Sequence, residues 1–163
     1  MKRTGIFIFA ATLALVGCSK QDGSFENKMF IKADSYRSEV RVATDEGVKT
    51  LKRNLSVAIA QPLENDIDVK VVKSPELLET YRKAWYEPTA ELLPDENCNL
   101  EGLSTVLRGG DVASKDIELT FTGLDKLDYS KVYVLPVTIV SEGVAVLERE
   151  KTIYYVVKEA SLV

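Results

Sequence analysis

Apolar and polar residues alternate along most of this chain, the period-2 pattern of strands that bury one face. Early segments of this kind are residues 28–33 and 39–43. In residues 54–60 the pattern places Leu55, Val57 and Ile59 on one face, and in residues 66–73 it does the same for Ile67, Val69 and Val71. A short extended piece around residues 98–100 and a short strand at 105–107 precede three stronger segments, 115–121, 132–140 and 151–158. In residues 132–140 (VYVLPVTIV) both alternating faces are apolar, which predicts a central strand covered on both sides. Pro136 inside it cannot donate to a ladder, so a bulge or an unpaired edge is expected there. Glu142-Gly143 predicts a tight reversal that pairs residues 153–157 with the strand before them.

One stretch changes period. Leu77, Leu78, Tyr81 and Trp85 recur at helical spacing. Ser74 is placed to cap this helix, Pro75 suits its first position, Glu76 suits its positive end, and Pro88 stops it. The prediction is a mainly β chain, an antiparallel immunoglobulin-like β-sandwich with one short helix at about residues 75–86 lying over its edge or end.

The N-terminus follows another pattern. Lys2 and Arg3 precede an apolar run from Ile6 to Val16 that ends in Leu15-Val16-Gly17-Cys18. The run is shorter than the roughly 20 residues a spanning helix needs. A basic start, an apolar stretch and small residues before a cysteine are the marks of a lipoprotein signal. The expected organisation is a signal peptide at 1–17, lipidation of Cys18, a flexible tether at 18–27 and a single β-sandwich domain at 28–163. Ser19 follows the cysteine where an aspartate would resemble an inner-membrane retention signal. A lipid anchor in the outer membrane is therefore expected, facing the cell surface or the periplasm.

Composition then removes whole classes of chemistry. The chain carries a net charge of −4 and its basic residues are scattered, so nucleic acid is not an expected partner. It contains no histidine, which excludes His-dependent triads, Cys-His dyads and His-bearing zinc sites. Beyond Cys18 only Cys98 remains, so no intramolecular disulfide is available. A buried structural thiol is the expectation for Cys98. Asp66 and Asp68, two apart on one strand, could turn two carboxylates toward a calcium ion or a sugar hydroxyl, or be ordinary solvated alternation. Asp95, Asn97 and Asn99 imitate the opening of a calcium-binding loop, but Leu100 stands where its glycine belongs and Val106 where its closing glutamate belongs. Gly109-Gly110-Asp111 lacks phosphate-loop spacing and reads as a turn. No catalytic residue, metal site or cofactor is expected. Two aromatic residues are candidates for ligand binding. Trp85 falls on the apolar stripe of the helix and fits core packing as well as sugar stacking, whereas Tyr86 points elsewhere and is the better exposed contact.

Several landmarks in order resemble a Bacteroidetes lipoprotein N-terminal domain family of unknown function. They are Glu26-Asn27-Lys28-Met29-Phe30-Ile31, Leu77-Leu78-Glu79-Thr80-Tyr81, Glu91-Leu92-Leu93-Pro94, Tyr133-Val134-Leu135-Pro136-Val137-Thr138-Ile139 and Lys151-Thr152-Ile153-Tyr154-Tyr155-Val156-Val157-Lys158. Members often precede laminin-G-like or concanavalin-like lectin domains or family 18 glycosidase domains. The resemblance implies an immunoglobulin-like sandwich on a surface or outer-membrane lipoprotein associated with glycan capture and breakdown, and it supplies no catalytic residue. The last landmark often leads into a second domain. With five residues after Lys158, a truncated product or a stand-alone variant is expected here. The resulting expectation is a non-catalytic, lipid-anchored spacer, scaffold or binding module. Its partners are the membrane, a glycan, and a downstream or separate glycan-handling domain. The alternatives are a structural or adhesive protein-interaction subunit and, behind it, a glycoside hydrolase.

Overall fold

The computed structural model describes residues 26–160; residues 1–17 of the expected signal, Cys18 and most of the tether lie outside the described residues. Ten strands form two packed layers. The first layer is a six-stranded sheet built from β2 (Arg37–Val42), β5 (Ile67–Lys73), β6 (Glu91–Leu92), β7 (Ser104–Leu107), β9 (Tyr133–Ser141) and β10 (Thr152–Glu159). Its order is β2-β10-β9-β5-β7, with β6 also paired to β9. The second layer holds β1 (Met29–Ile31) against β4 (Val57–Ile59) and β3 (Leu51–Leu55) against β8 (Ile117–Phe121). Only Ser56 separates β3 from β4. Its carbonyl accepts the Lys32 N–H at 2.9 Å, and a bridge joins Ala58 to Ala113, so the two ladders run on as one curled layer.

Inner-face residues of both layers meet in one core. Leu55, Val57 and Ile59 share it with Val69, Val71, Leu135, Val137, Ile153 and Tyr155, while Ile67 packs partly buried against it. Phe121 and Tyr155 face each other in this core at a ring separation of 5.6 Å. The architecture is thus a mainly β, immunoglobulin-like sandwich, as the alternation predicts. Two pairs depart from antiparallel order, β2 with β10 and β6 with β9. The connection from β2 to β10 runs through nearly the whole domain, so it has the length that a parallel partner requires.

β9 and β10 are covered on both faces. Their alternate residues Val134, Tyr154 and Val156 point away from the sandwich core and are buried under helix α1 (Leu78–Trp85) together with Tyr81 and Ala90. The helix therefore lies across the outer face of the central strands rather than at an edge or end, because that face is too apolar to be left in water. Ser74 also departs from expectation. Its hydroxyl donates to Thr138 Oγ1 at 2.8 Å instead of capping, and a 3₁₀ turn at Pro75–Leu77 leads into α1. The Ser74 side chain thus ties the start of the helical segment to β9.

Pro136 needs no bulge. Its carbonyl accepts the Ser74 N–H at 3.0 Å, and the carbonyl and nitrogen of a strand residue point the same way, so its ring nitrogen faces that side of β9. On that side β6 pairs with Tyr133 and Val134, while β5 pairs with residues 137–141. The proline sits at the changeover between partners, where a ladder donor is not required. The link from β9 to β10 is longer than the expected tight reversal. Its residue Val146 bridges to Met29, and the 3₁₀ turn Glu148–Glu150 follows. That detour supplies β1 with backbone partners, since Met29 N–H donates to the Ala145 carbonyl at 2.9 Å and its carbonyl accepts from Leu147 at 2.8 Å.

Two positions on β9 test this layering. Leu135 is 0% exposed in the core and Val140 is 43% exposed on the outer face. Leu135→Ala is expected to lower the unfolding free energy by about 2–5 kcal/mol. Val140→Ala is expected to change it by no more than about 0.5 kcal/mol, both read from urea unfolding curves.

Candidate functional site

The end of α1 gathers the aromatic residues singled out by the sequence. Trp85 is half-buried. It stacks on Tyr81 with ring centroids 4.8 Å apart at 27°, and meets Tyr154 edge-on at 5.1 Å and 62°. Tyr81 and Tyr154 are themselves 5.4 Å apart, so three rings from the helix and β10 form one cluster. Trp85 is therefore a packing residue with an accessible remainder.

Tyr86 does the opposite. It is 90% exposed and adopts φ 55° and ψ 36°, the left-handed conformation. Its N–H and that of Glu87 both reach the Arg82 carbonyl, which closes the helix by a Schellman-type turn. This cap, two residues before Pro88, ends the helix. Proline contributes by disfavouring the α conformation at Glu87. Glycine is the usual occupant of such a cap, because a Cβ there is penalised. A tyrosine in this conformation, with its ring in solvent, is a local cost that the fold's own packing does not offset.

A polar network borders the cluster. Glu39 on β2 accepts from Arg37 at 2.7 Å, from Arg41 at 2.8 Å and from Lys158 at 2.6 Å. Arg37 also reaches Glu87 at 2.9 Å and the Tyr81 hydroxyl at 3.3 Å, while that hydroxyl donates to the other oxygen of Glu87. The bonds from Lys158, Arg37 and Arg41 hold the Glu39 carboxyl down at about 2. Burial, followed by the bond to Glu87, pushes the Tyr81 phenol up to about 12. Arg82 binds the Ala90 carbonyl through two nitrogens, at 2.9 and 2.6 Å, and so fixes the loop that follows the cap.

Sequence reasoning singles out Trp85 through the helical pattern and Tyr86 as the neighbouring aromatic residue that falls off its apolar stripe. It misses Arg37, Glu39, Glu87 and Lys158, which come from β2, the loop after α1 and β10. The one local signal was the every-second-residue spacing of Arg37, Glu39 and Arg41, which puts all three on the same face of a strand.

The other candidates have structural tasks. Asp66 binds Arg108 at 2.6 Å and the Gly109 N–H at 2.9 Å, whereas Asp68 lies exposed on β5. Asp66 thereby secures the Gly109-Gly110 turn. A Cβ on Gly109 would stand 2.4 Å from the Glu64 carbonyl oxygen, so this position admits only glycine. Asp95 pairs with Lys73 at 2.5 Å, the Asn97 amide donates to the Thr122 carbonyl at 2.8 Å, and Asn99 accepts from the Glu101 N–H at 2.8 Å. Among the described residues no group of three or more Cys, Asp or Glu side chains could hold a metal ion. Cys98 is 3% exposed, and burial pushes its thiol up to about 11, the setting of an inert packed cysteine. A groove of about 930 Å³ runs beside β5, lined in part by Val72, Lys73, Leu100 and Leu103, and is separate from the aromatic cluster.

Known proteins share this fold. The model of a family described as a "-like, N-terminal domain" matches residues 25–146. A candidate carbohydrate-binding protein of Bacteroides ovatus superposes with a TM-score of 0.68 at 19% identity, over 82% of this chain and 37% of its own. A two-domain protein of unknown function from Bacteroides fragilis gives 0.66 at 20% identity, over 83% and 46%. Bacteroides thetaiotamicron EndoBT-3987, solved with a Man5GlcNAc product, gives 0.65 at 20% identity, over 80% and 30%. The chain thus spans less than half the length of each, and at these identities the likeness is one of fold. No curated protein matches the chain.

Two variants probe the site's energetics. Tyr86→Gly removes the Cβ penalty of the left-handed cap while giving up almost no buried area. It is expected to raise the unfolding free energy by about 1 kcal/mol in urea melts. Glu39 has a folded pKa of about 2, below its ordinary 4.5. A depressed carboxylate pKa stabilises the fold above pH 4.5, and that contribution disappears as pH falls toward 2. The stability difference between the native chain and Glu39→Gln should therefore be largest above pH 4.5 and shrink steadily below it, as measured by denaturant unfolding at stepped pH.

Proposed function

This chain belongs to the N-terminal domain family whose model covers residues 25–146, and we propose that it is a non-catalytic module of glycan capture and utilisation, held by lipid at the bacterial outer membrane and facing the cell surface. The module part of this reading is carried by the family match over residues 25–146, whose description is that of an N-terminal domain. The domain corresponds to 30–46% of the three longer structures, as expected of a unit that works beside other domains. One of those proteins was solved with an oligosaccharide product and another is a candidate carbohydrate-binding protein, which supports the glycan association.

The membrane part rests on Leu15-Val16-Gly17-Cys18. Acyl chains on Cys18 would hold the chain without a spanning segment, since two or more chains are needed for stable anchoring and suffice for it. Residues 18–27 then serve as a tether that lifts the sandwich off the bilayer. Within the described residues Asn27 is already tied to the domain, its amide donating to the Gln61 carbonyl at 2.8 Å and accepting the Gln61 N–H at 3.1 Å. The sandwich is the part that meets a glycan or a partner domain.

The full-length chain should incorporate radiolabelled palmitate, and Cys18→Ser should abolish the label and release the protein from the membrane fraction. Continued labelling of Cys18→Ser would refute the anchor. The purified sandwich should release no reducing ends from polysaccharides, and their steady release would refute the non-catalytic assignment.

A further inference from the structure

We propose that the C-terminal cap of α1 is a subsite for a pyranose ring, with Tyr86 as the stacking platform and Trp85 as its rigid neighbour in the chain. This rests on the reading of the chain as a glycan-associated module. Three observations converge on the cap. The first is the Tyr86 ring itself, 90% exposed on a residue at φ 55°. A glycine would serve the turn better, and among the described residues no hydrogen bond or ring partner engages the Tyr86 side chain, which leaves the ring available to a molecule outside the domain.

The second is rigidity. Trp85 is held against Tyr81 and Tyr154 at 4.8 and 5.1 Å, and the cap is closed by two N–H groups on the Arg82 carbonyl. A tyrosine side chain has few rotors, so stacking on a fixed backbone loses little conformational freedom. The third is the polar border. Glu87, next in sequence, is fixed by Arg37 and the Tyr81 hydroxyl, with 31% of its side chain still accessible. A pyranose presents an apolar C–H face and a rim of hydroxyls; the Tyr86 ring offers a surface to the first, and the accessible part of Glu87, next in the chain, offers an acceptor to the second.

Size narrows the ligand more than charge does. Three cations, Arg37, Arg41 and Lys158, face two carboxylates, Glu39 and Glu87, so the border keeps one net positive charge and accommodates acidic as well as neutral rings. The other exposed large apolar residues among those described are Val72, Val112 and Val140, on β5, after β7 and on β9 respectively. None belongs to α1. The apolar surface at the cap is one ring wide, far below the roughly 800 Å² per partner of a stable protein interface.

Trp85 is the sole tryptophan of the chain, so its emission reports on the site directly. Titration with cellohexaose, mannohexaose, xylohexaose and hexagalacturonate should give a saturable emission change with at least one of them. Tyr86→Ala should weaken that binding about tenfold. Tyr86→Phe should keep it, and Tyr86→Gly should lose it while unfolding at higher urea. Oligosaccharide binding that survives Tyr86→Ala would overturn this subsite and leave the glycan reading standing. If the native chain binds none of the four hexasaccharides, or if Tyr86→Ala disrupts only a protein contact, the subsite is overturned. In either case the anchored, non-catalytic module still stands or falls by palmitate labelling and reducing-end release.

Discussion

Two-sided burial of β9 and β10 is the constraint from which the rest of the molecule follows. Each strand alternates core residues (Leu135, Val137, Ile153, Tyr155) with residues of the opposite face (Val134, Tyr154, Val156), and both sets are apolar. One face is satisfied by the second layer of the sandwich. The other must be covered by something, and α1 with Leu77, Leu78, Tyr81 and Trp85 is the only amphipathic helix among the described residues that can do so. The helix docks on the outer sheet face for the same reason that the sandwich has a core.

Comparing magnitudes shows what holds the helix and what aims it. Burying each of Tyr81, Val134 and Val156 is worth roughly 1.5–3 kcal/mol. An exposed ion pair contributes about 0–1 kcal/mol. The network of Arg37, Glu39, Glu87 and Lys158 keeps only 20–33% of each side chain accessible and so lies above that range, but only the Arg37 bonds to Tyr81 and Glu87 reach the helical segment, and they add less to docking than the apolar contacts together. Its effect is directional. Hydrogen bonds constrain angles in a way that apolar contact does not, and Arg37 touches Glu39, Glu87 and Tyr81 at once, so strand, helix and post-cap loop are set relative to one another.

Much of the fold was legible because its signals are local. Leu55, Val57 and Ile59 alternate and are all buried, as do Val69 and Val71, and the doubly apolar segment around Pro136 is indeed central. What could not be read depends on which strand lies beside which. The changeover from β6 to β5 that accommodates Pro136 requires knowing both partners of β9, and β6 is only two residues long, too short for any period to register. The helix position was misjudged for a related reason: Trp85 announces an apolar stripe but says nothing of the surface that receives it. At the site, Trp85 was visible from helical spacing and Tyr86 as the aromatic residue that falls off that stripe. Glu39 and Lys158, 119 positions apart, were invisible without the parallel pairing of β2 with β10.

The same dependence explains why the cap falls where it does. Trp85 must turn inward to meet Tyr81 and Tyr154, and Arg82 must reach the Ala90 carbonyl so that β6 can join β9. Both demands end the helix between them, and the chain has to reverse within the residues 86–90. A left-handed residue immediately after Trp85 makes that reversal and feeds both N–H groups to the Arg82 carbonyl. The fold therefore dictates the backbone conformation at position 86 but not the side chain there. Because that conformation throws the side chain outward, beyond the reach of the core, the identity of the residue is left free of packing constraints. Packing constraints on this segment thus end at Tyr86, just past the last residue of the helix.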